Sequence, residues 1–137
     1  MIMVSDRPAR DSENWEISIC NVLIRHRRVI GTVLDFSLVE NANWDMLLEL
    51  YLARCERRQV FAWSLCAAAN APYSTAHRKL RELADNGWIL RHEDMKDRRR
   101  VEVELTAMGA AKLEAIVKQI ADVGWPPRQH DQPPPGE

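Results

Sequence analysis

Cysteine is scarce in this chain. Three residues in 137 (Cys20, Cys55 and Cys66) are an odd number at wide spacing, and no Cys-x-x-Cys pair exists. A disulfide framework and a zinc knuckle are therefore excluded, and a reduced, cytoplasmic protein is expected. Long apolar runs are also missing. The longest, Val60–Ala71, is interrupted by Ser64 and Asn70 and is too short to span a bilayer, so no membrane partner is expected. The opening MIMVSDRPARDSEN has no apolar core of a signal peptide. The four histidines (His26, His77, His92 and His130) show no ligand spacing. Neither a metal nor any other cofactor is expected. Neither sign of charge dominates: 19 Lys and Arg stand against 20 Asp and Glu, for a net charge of -1. That total alone argues against a nucleic-acid binder.

What is present is a composition of 46% hydrophobic and 28% charged residues, typical of one soluble domain with a real core. The charge is unevenly distributed. Residues 1–53 carry 5 basic and 8 acidic side chains, residues 54–100 carry 11 and 6, and residues 101–137 carry 3 and 6. A basic middle between acidic flanks places an anionic partner on the middle third.

Residues 1–11 are polar and read as a disordered N-terminus. One domain is expected over 12–123. Asp11 or Ser12 can cap a first helix with Trp15, Ile19, Val22, Leu23, Ile30 and Val33 on one face. Ile17 and Ile24 fall outside that stripe, which points to a second partner for this helix. After a loop at 36–43, with Asn41 or Asn43 as a cap, Trp44, Leu47, Leu48, Tyr51, Leu52 and Cys55 mark a second helix. A short apolar segment follows, with Leu65 as its most core-like residue, and Pro72 stops it. The next helix runs from Tyr73 to Asp85 with Ala76, Leu80 and Leu83 inward, and Asn86-Gly87 ends it. Residues 88–91 read as a strand, 92–98 as a charged turn, and 100–105 as a strand with Val101, Val103 and Leu105 on one face. Thr106 can cap a last helix carrying Leu113, Ile116, Val117 and Ile120, which Gly124 ends. Residues 124–137 hold five of the seven prolines and read as extended or disordered.

The fold class is therefore mainly α with a small β-hairpin. Two helices, a tight turn and a hairpin give winged helix-turn-helix order, flanked by dimerisation helices over 12–35 and 106–123. The exposed start of helix Tyr73–Asp85 offers Tyr73, Ser74, Thr75, His77, Arg78 and Arg81 to a major groove. The hairpin tip offers Lys96, Arg98, Arg99 and Arg100 to the flanking backbone or minor groove. Double-stranded DNA and a second copy of the chain are the expected partners.

Two stretches, NAPYSTAHRKLRELADNGWILR and DRRRVEVELTAMG, resemble the recognition helix and wing of the MarR family of bacterial transcription regulators. The wing pattern D-x-R-x-x-x-V-x-L-T-x-x-G falls on Asp97, Arg99, Val103, Leu105, Thr106 and Gly109, and the resemblance covers about residues 13–122. The chain departs from the family at Pro72, where a capping Ser or Thr is usual, and after Thr106, where it is shorter than many relatives. The resemblance implies a homodimeric, DNA-binding regulator and not an enzyme. It also implies a small aromatic or phenolic effector in the cleft between DNA-binding unit and dimer helices.

Each reading has a plainer rival. The arginine run can be a solvated turn, and Asp97 is expected to pair with one of its arginines. Ser74 and His77 invite a catalytic reading, but no third orienting group accompanies them. Trp15, Trp44 and Trp88 read as packing, whereas Trp63 is open to a place beside the effector cleft. Cys20 reads as a buried structural thiol, although some members of the resembled family sense peroxide through a helix-1 cysteine. The rival to DNA binding is a winged-helix protein-interaction module without DNA affinity, since a fold alone does not fix function.

Overall fold

The computed structural model describes residues 2–97 and 99–124, with side chains over 15–97 and 99–123. Five helices and three short strands follow in the order α1 (Ile2–Leu34), α2 (Ala42–Glu56), β1 (Val60–Phe61), α3 (Ala62–Ala67), α4 (Tyr73–Asp85), β2 (Ile89–Glu93), β3 (Val101–Leu105) and α5 (Ala107–Gly124). Helix α1 begins at Ile2, well before the Asp11–Ser12 cap, so the backbone is helical over residues 2–11 of the 1–11 segment where disorder was expected. Adding turns to an existing helix needs no new nucleus, and a segment without apolar period gives no sign of it in sequence. The expected proline-rich tail falls outside the described residues beyond Gly124.

Helix α2 is the central element. Met46, Leu48, Leu50, Tyr51 and Leu52 are all buried, so it meets neighbours round much of its circumference. Asn41, of the two candidate caps, does the capping: its side chain accepts from the Trp44 amide at 3.2 Å. The fully buried Ile19, Met46, Leu48, Leu65, Leu80, Leu113 and Val117 tie α1 to α5 into one core. Each such side chain stabilises the fold by roughly 1.5–3 kcal/mol. Trp15, Trp44 and Trp88 pack against this core at half burial.

The hairpin has a third strand. The sheet order is β1-β3-β2, all antiparallel, with Val60 opposite Val103 and Ile89 opposite Leu105. A two-residue strand is too short to show a period, so β1 was illegible in the sequence. The Thr106-x-x-Gly109 step has a physical basis. Thr106 Oγ accepts from the Gly109 amide at 3.0 Å and donates to Gly87 O at 2.7 Å. A Cβ on Gly109 would lie 2.4 Å from Trp88 O, so α5 can start this close to the hairpin root only with glycine there.

The outward face of α1 differs from the expected one. Ile17 and Ile24 pack against the core, whereas Ile30 and Val33 are exposed together with Val29 and Leu34. Among the described residues no element lies over that side of the last turns of α1, so the helical stripe continues in sequence after its packing partner has ended.

Candidate nucleic-acid interface

Helix α4 is seated by Ala76, Leu80 and Leu83, which are buried as expected. That seating turns the other faces outward. Tyr73, Ser74, Arg78 and Arg81 are exposed, and Thr75 and His77 are half-buried. The Tyr73 and His77 rings lie 5.7 Å apart and tilted by 53°, one helical turn from each other. Arg78 pairs with Glu82 at 3.3 Å, and Lys79 reaches the same carboxylate at 3.7 Å. Arg81 makes no ion pair among the described residues. No acid precedes Glu82 on α4, so its first two turns present hydroxyls, an imidazole and an arginine.

No side chain caps the start of α4. Pro72 holds the N-cap position with φ -55° and ψ 143°, and the first helical bond runs from the Ala76 amide to Pro72 O at 2.9 Å. The turn before it bends through Asn70, whose φ is +54°. That left-handed conformation is one asparagine tolerates better than most residues. Asn70 Nδ2 donates to Asp45 Oδ2 at 3.3 Å. Asp45 also accepts a two-pronged bond from Arg27, with Nε at 2.7 Å and Nη2 at 3.1 Å. Asp45 is 6% exposed and is the buried charged residue among the described residues. Sequence reading missed all three of these residues. The one available signal was an asparagine ahead of Ala-Pro at the helix-turn-helix junction.

The wing turn spans 94–100 and is built from aspartates. Asp94 Oδ1 accepts from the Lys96 amide at 2.8 Å, and Asp97 Oδ1 accepts from the Arg99 amide at 3.0 Å. The expected arginine partner of Asp97 is Arg99, whose Nε approaches at 3.2 Å. Arg100 lies folded back, its guanidinium 5.1 Å from the centre of the Phe61 ring on β1. β1 thus supplies an aromatic face beside this arginine of the tip. Arg98 lies outside the described residues. Lys96 is exposed, and beside it Met95 is 99% exposed, an apolar tip residue that charge counting passed over. The outer face of the hairpin is acidic: Glu104 receives His92 at 3.0 Å across the strands, and Glu102 lies opposite His92.

No hydrogen bond joins Ser74 to His77 among the described residues, whose ring neighbour is Tyr73. Burial pushes the Cys20 thiol up to about 12, with Cys55 and Glu16 adding to the shift. The thiolate is the reactive form, so this burial agrees with Cys20 as a structural thiol. Trp63 is exposed on α3 and does not line the cleft between α1, α2 and α5. That cleft, of about 370 Å³, is bordered by Glu16, Tyr51, Arg54, Cys55 and Glu114, and the Tyr51 hydroxyl donates to Glu16. Among the described residues no helix is long and apolar enough to cross a membrane, and no group of His, Cys, Asp and Glu could hold a metal ion.

No protein-family model matches the chain, and no curated protein does. Solved structures do. A MarR family transcriptional regulator from Silicibacter pomeroyi is 24% identical, with a TM-score of 0.51, over 74% of this chain and 68% of that one. S. aureus MepR in its DNA-binding conformation is 21% identical with a TM-score of 0.53, over 77% of each chain. The S. aureus MepR–DNA complex gives the same identity and score over 74% of this chain and 82% of that one. The likeness is one of fold: the chain has the winged-helix fold of MarR-family regulators.

Proposed function

We propose that this protein is a homodimeric transcription regulator that binds double-stranded DNA sequence-specifically and is not an enzyme. In this reading α4 lies in the major groove and the wing meets the flanking backbone or minor groove. The observation that carries it is the start of α4, where Ser74 and Arg78 face outward from a helix locked by three buried side chains, with no acid before Glu82. Hydroxyls and arginine so placed can read base edges. The solved MepR–DNA complex supports the reading through its shared fold. The protein would act in the cytoplasm. A small-molecule effector would enter the cleft between α1, α2 and α5 and not a site at Trp63.

Dimerisation is supported by apolar surface. Val29, Ile30, Val33 and Leu34 on α1 and Ile116 and Val123 on α5 are exposed in the single chain. Two-fold symmetry would set two copies of α4 roughly 34 Å apart, one DNA turn, and require a near-palindromic site. Light scattering should find a dimer at micromolar concentration, broken by Val33→Glu and kept by Arg25→Glu. A monomeric wild type would overturn the dimer.

Selection of bound duplexes from random DNA is the test of function. A near-palindromic consensus is expected, with affinity falling steeply as salt rises. A winged helix acting only as a protein-interaction module would recover no consensus and bind no duplex even at low salt.

A further inference from the structure

We propose that Arg27, Asp45 and Asn70 form a positioning relay through which α1 sets where α4 begins. The relay thereby governs how well α4 discriminates one DNA sequence from another, a consequence that rests on the reading above. The chain of contacts is continuous. Arg27 on α1 grips the Asp45 carboxylate on α2 with two bonds, and Asp45 holds the Asn70 amide in the turn that leads into α4. Pro72 offers α4 no side-chain cap, so the entry angle of the helix is left to that turn. The turn in turn depends on Asn70 staying left-handed.

The chemistry suits a fixed joint. A carboxylate with four acceptor positions takes three donors here, two of them from a planar fork that only arginine presents. The joint is partly buried, and the crevice beside it, bordered by Ile24, Arg28, Glu49 and Ala68, holds about 20 Å³. That is room for about one water and for no ligand. The three bonds are direct, at 2.7, 3.1 and 3.3 Å. An apolar contact could hold α4 against the core equally well. It would not specify the path of the turn, because a non-directional contact leaves the rotation of the helix start free.

The test uses the full chain and four proteins: wild type, Asn70→Gly, Asp45→Asn and Arg27→Lys. Asn70→Gly keeps the left-handed backbone accessible while removing the side chain that carries the amide. Arg27→Lys keeps the charge but loses the fork. The first readout needs no DNA. Amide exchange at Ala76, which donates to Pro72 O, should quicken about tenfold in Asn70→Gly and Asp45→Asn, and less in Arg27→Lys. Exchange at Leu48 and Leu113, deep in α2 and α5, should stay at the wild-type rate in Asn70→Gly. The second readout is the ratio of affinity for the selected duplex over a random one. It should fall about tenfold in Asn70→Gly, with random-duplex affinity changed less than twofold.

Wild-type exchange at Ala76 in Asn70→Gly would overturn the relay. So would exchange quickened equally at Ala76, Leu48 and Leu113, which would mean plain destabilisation. Faster Ala76 exchange with unchanged discrimination would also overturn it. Should the wild type select no duplex, the DNA reading fails on its own, and the exchange rates alone judge the joint.

Discussion

Helix α4 and the wing stand next to each other in the chain and are held by different forces. Three buried apolar side chains seat α4. The wing turn is held by half-buried aspartates that accept from nearby amides, with Arg99 on Asp97 and Arg100 on the Phe61 ring. Burial fixes an element as a whole and leaves its outward residues at positions set by the helical period. Single exposed ion pairs and cation–π contacts are worth little each, about 0–1 kcal/mol. A rigid helix suits base reading, which needs fixed donor geometry. A loosely tied tip suits phosphate contacts, which tolerate small displacements.

The sharpest break in that contrast comes from Leu80→Ala. Leu80 is fully buried between α4 and the core, so its truncation should cost about 2–5 kcal/mol in denaturant unfolding. At the wing, Met95→Ala should change stability by less than about 0.5 kcal/mol, since the side chain is wholly exposed. Similar small losses at both positions would show that α4 is no better seated than the wing.

A finer measure is what each region contributes to DNA. Arg78→Ala should cost about 1–3 kcal/mol on the selected site and much less on random duplex. Thr75→Ala should cost less than Arg78→Ala, because Thr75 is half-buried while Arg78 is exposed on the outer face. Equal losses on selected and random duplexes would assign these residues to phosphates and erase the division of labour.

What could be read from the sequence follows the same line. The bounds and inward residues of α4 were legible because Ala76, Leu80 and Leu83 repeat at helical spacing between Pro72 and Asn86-Gly87. The Thr106 cap and the Gly109 approach were legible as a motif. Features that depend on tertiary partners were not. Nothing in the period of α1 says that Ile24 packs while Val33 faces outward, because that depends on where neighbouring elements end. β1 is two residues long. Arg27, Asp45 and Asn70 lie 18 and 25 residues apart in sequence, and their joint exists only once the three elements meet. Arg99 and Arg100 looked alike for the same reason: Phe61, which distinguishes Arg100 from Arg99, sits far away in the chain.

In the wing itself the expected effects are smaller. Replacing Arg98, Arg99 and Arg100 together by alanine should weaken binding to all duplexes alike and flatten the dependence of log affinity on log salt. Each lost phosphate contact should lower that slope by about 0.9. The three should not contribute equally. Arg99 is exposed almost to its full extent and tied only to the neighbouring Asp97, a link that a phosphate can replace. Arg100 would first have to leave the Phe61 face, giving up roughly 0.5–1 kcal/mol. Arg100→Ala should therefore lower the slope by less than half of what Arg99→Ala does. Phe61→Leu keeps apolar bulk beside the strand and removes the aromatic face, so it should raise the share that Arg100 carries. A salt titration of the wild type, the two arginine variants and the Phe61→Leu, Arg100→Ala pair decides the point. If Arg100→Ala flattens the slope as much as Arg99→Ala in the wild-type background, Arg100 swings off Phe61 when DNA binds, and the wing acts as one uniform basic tip.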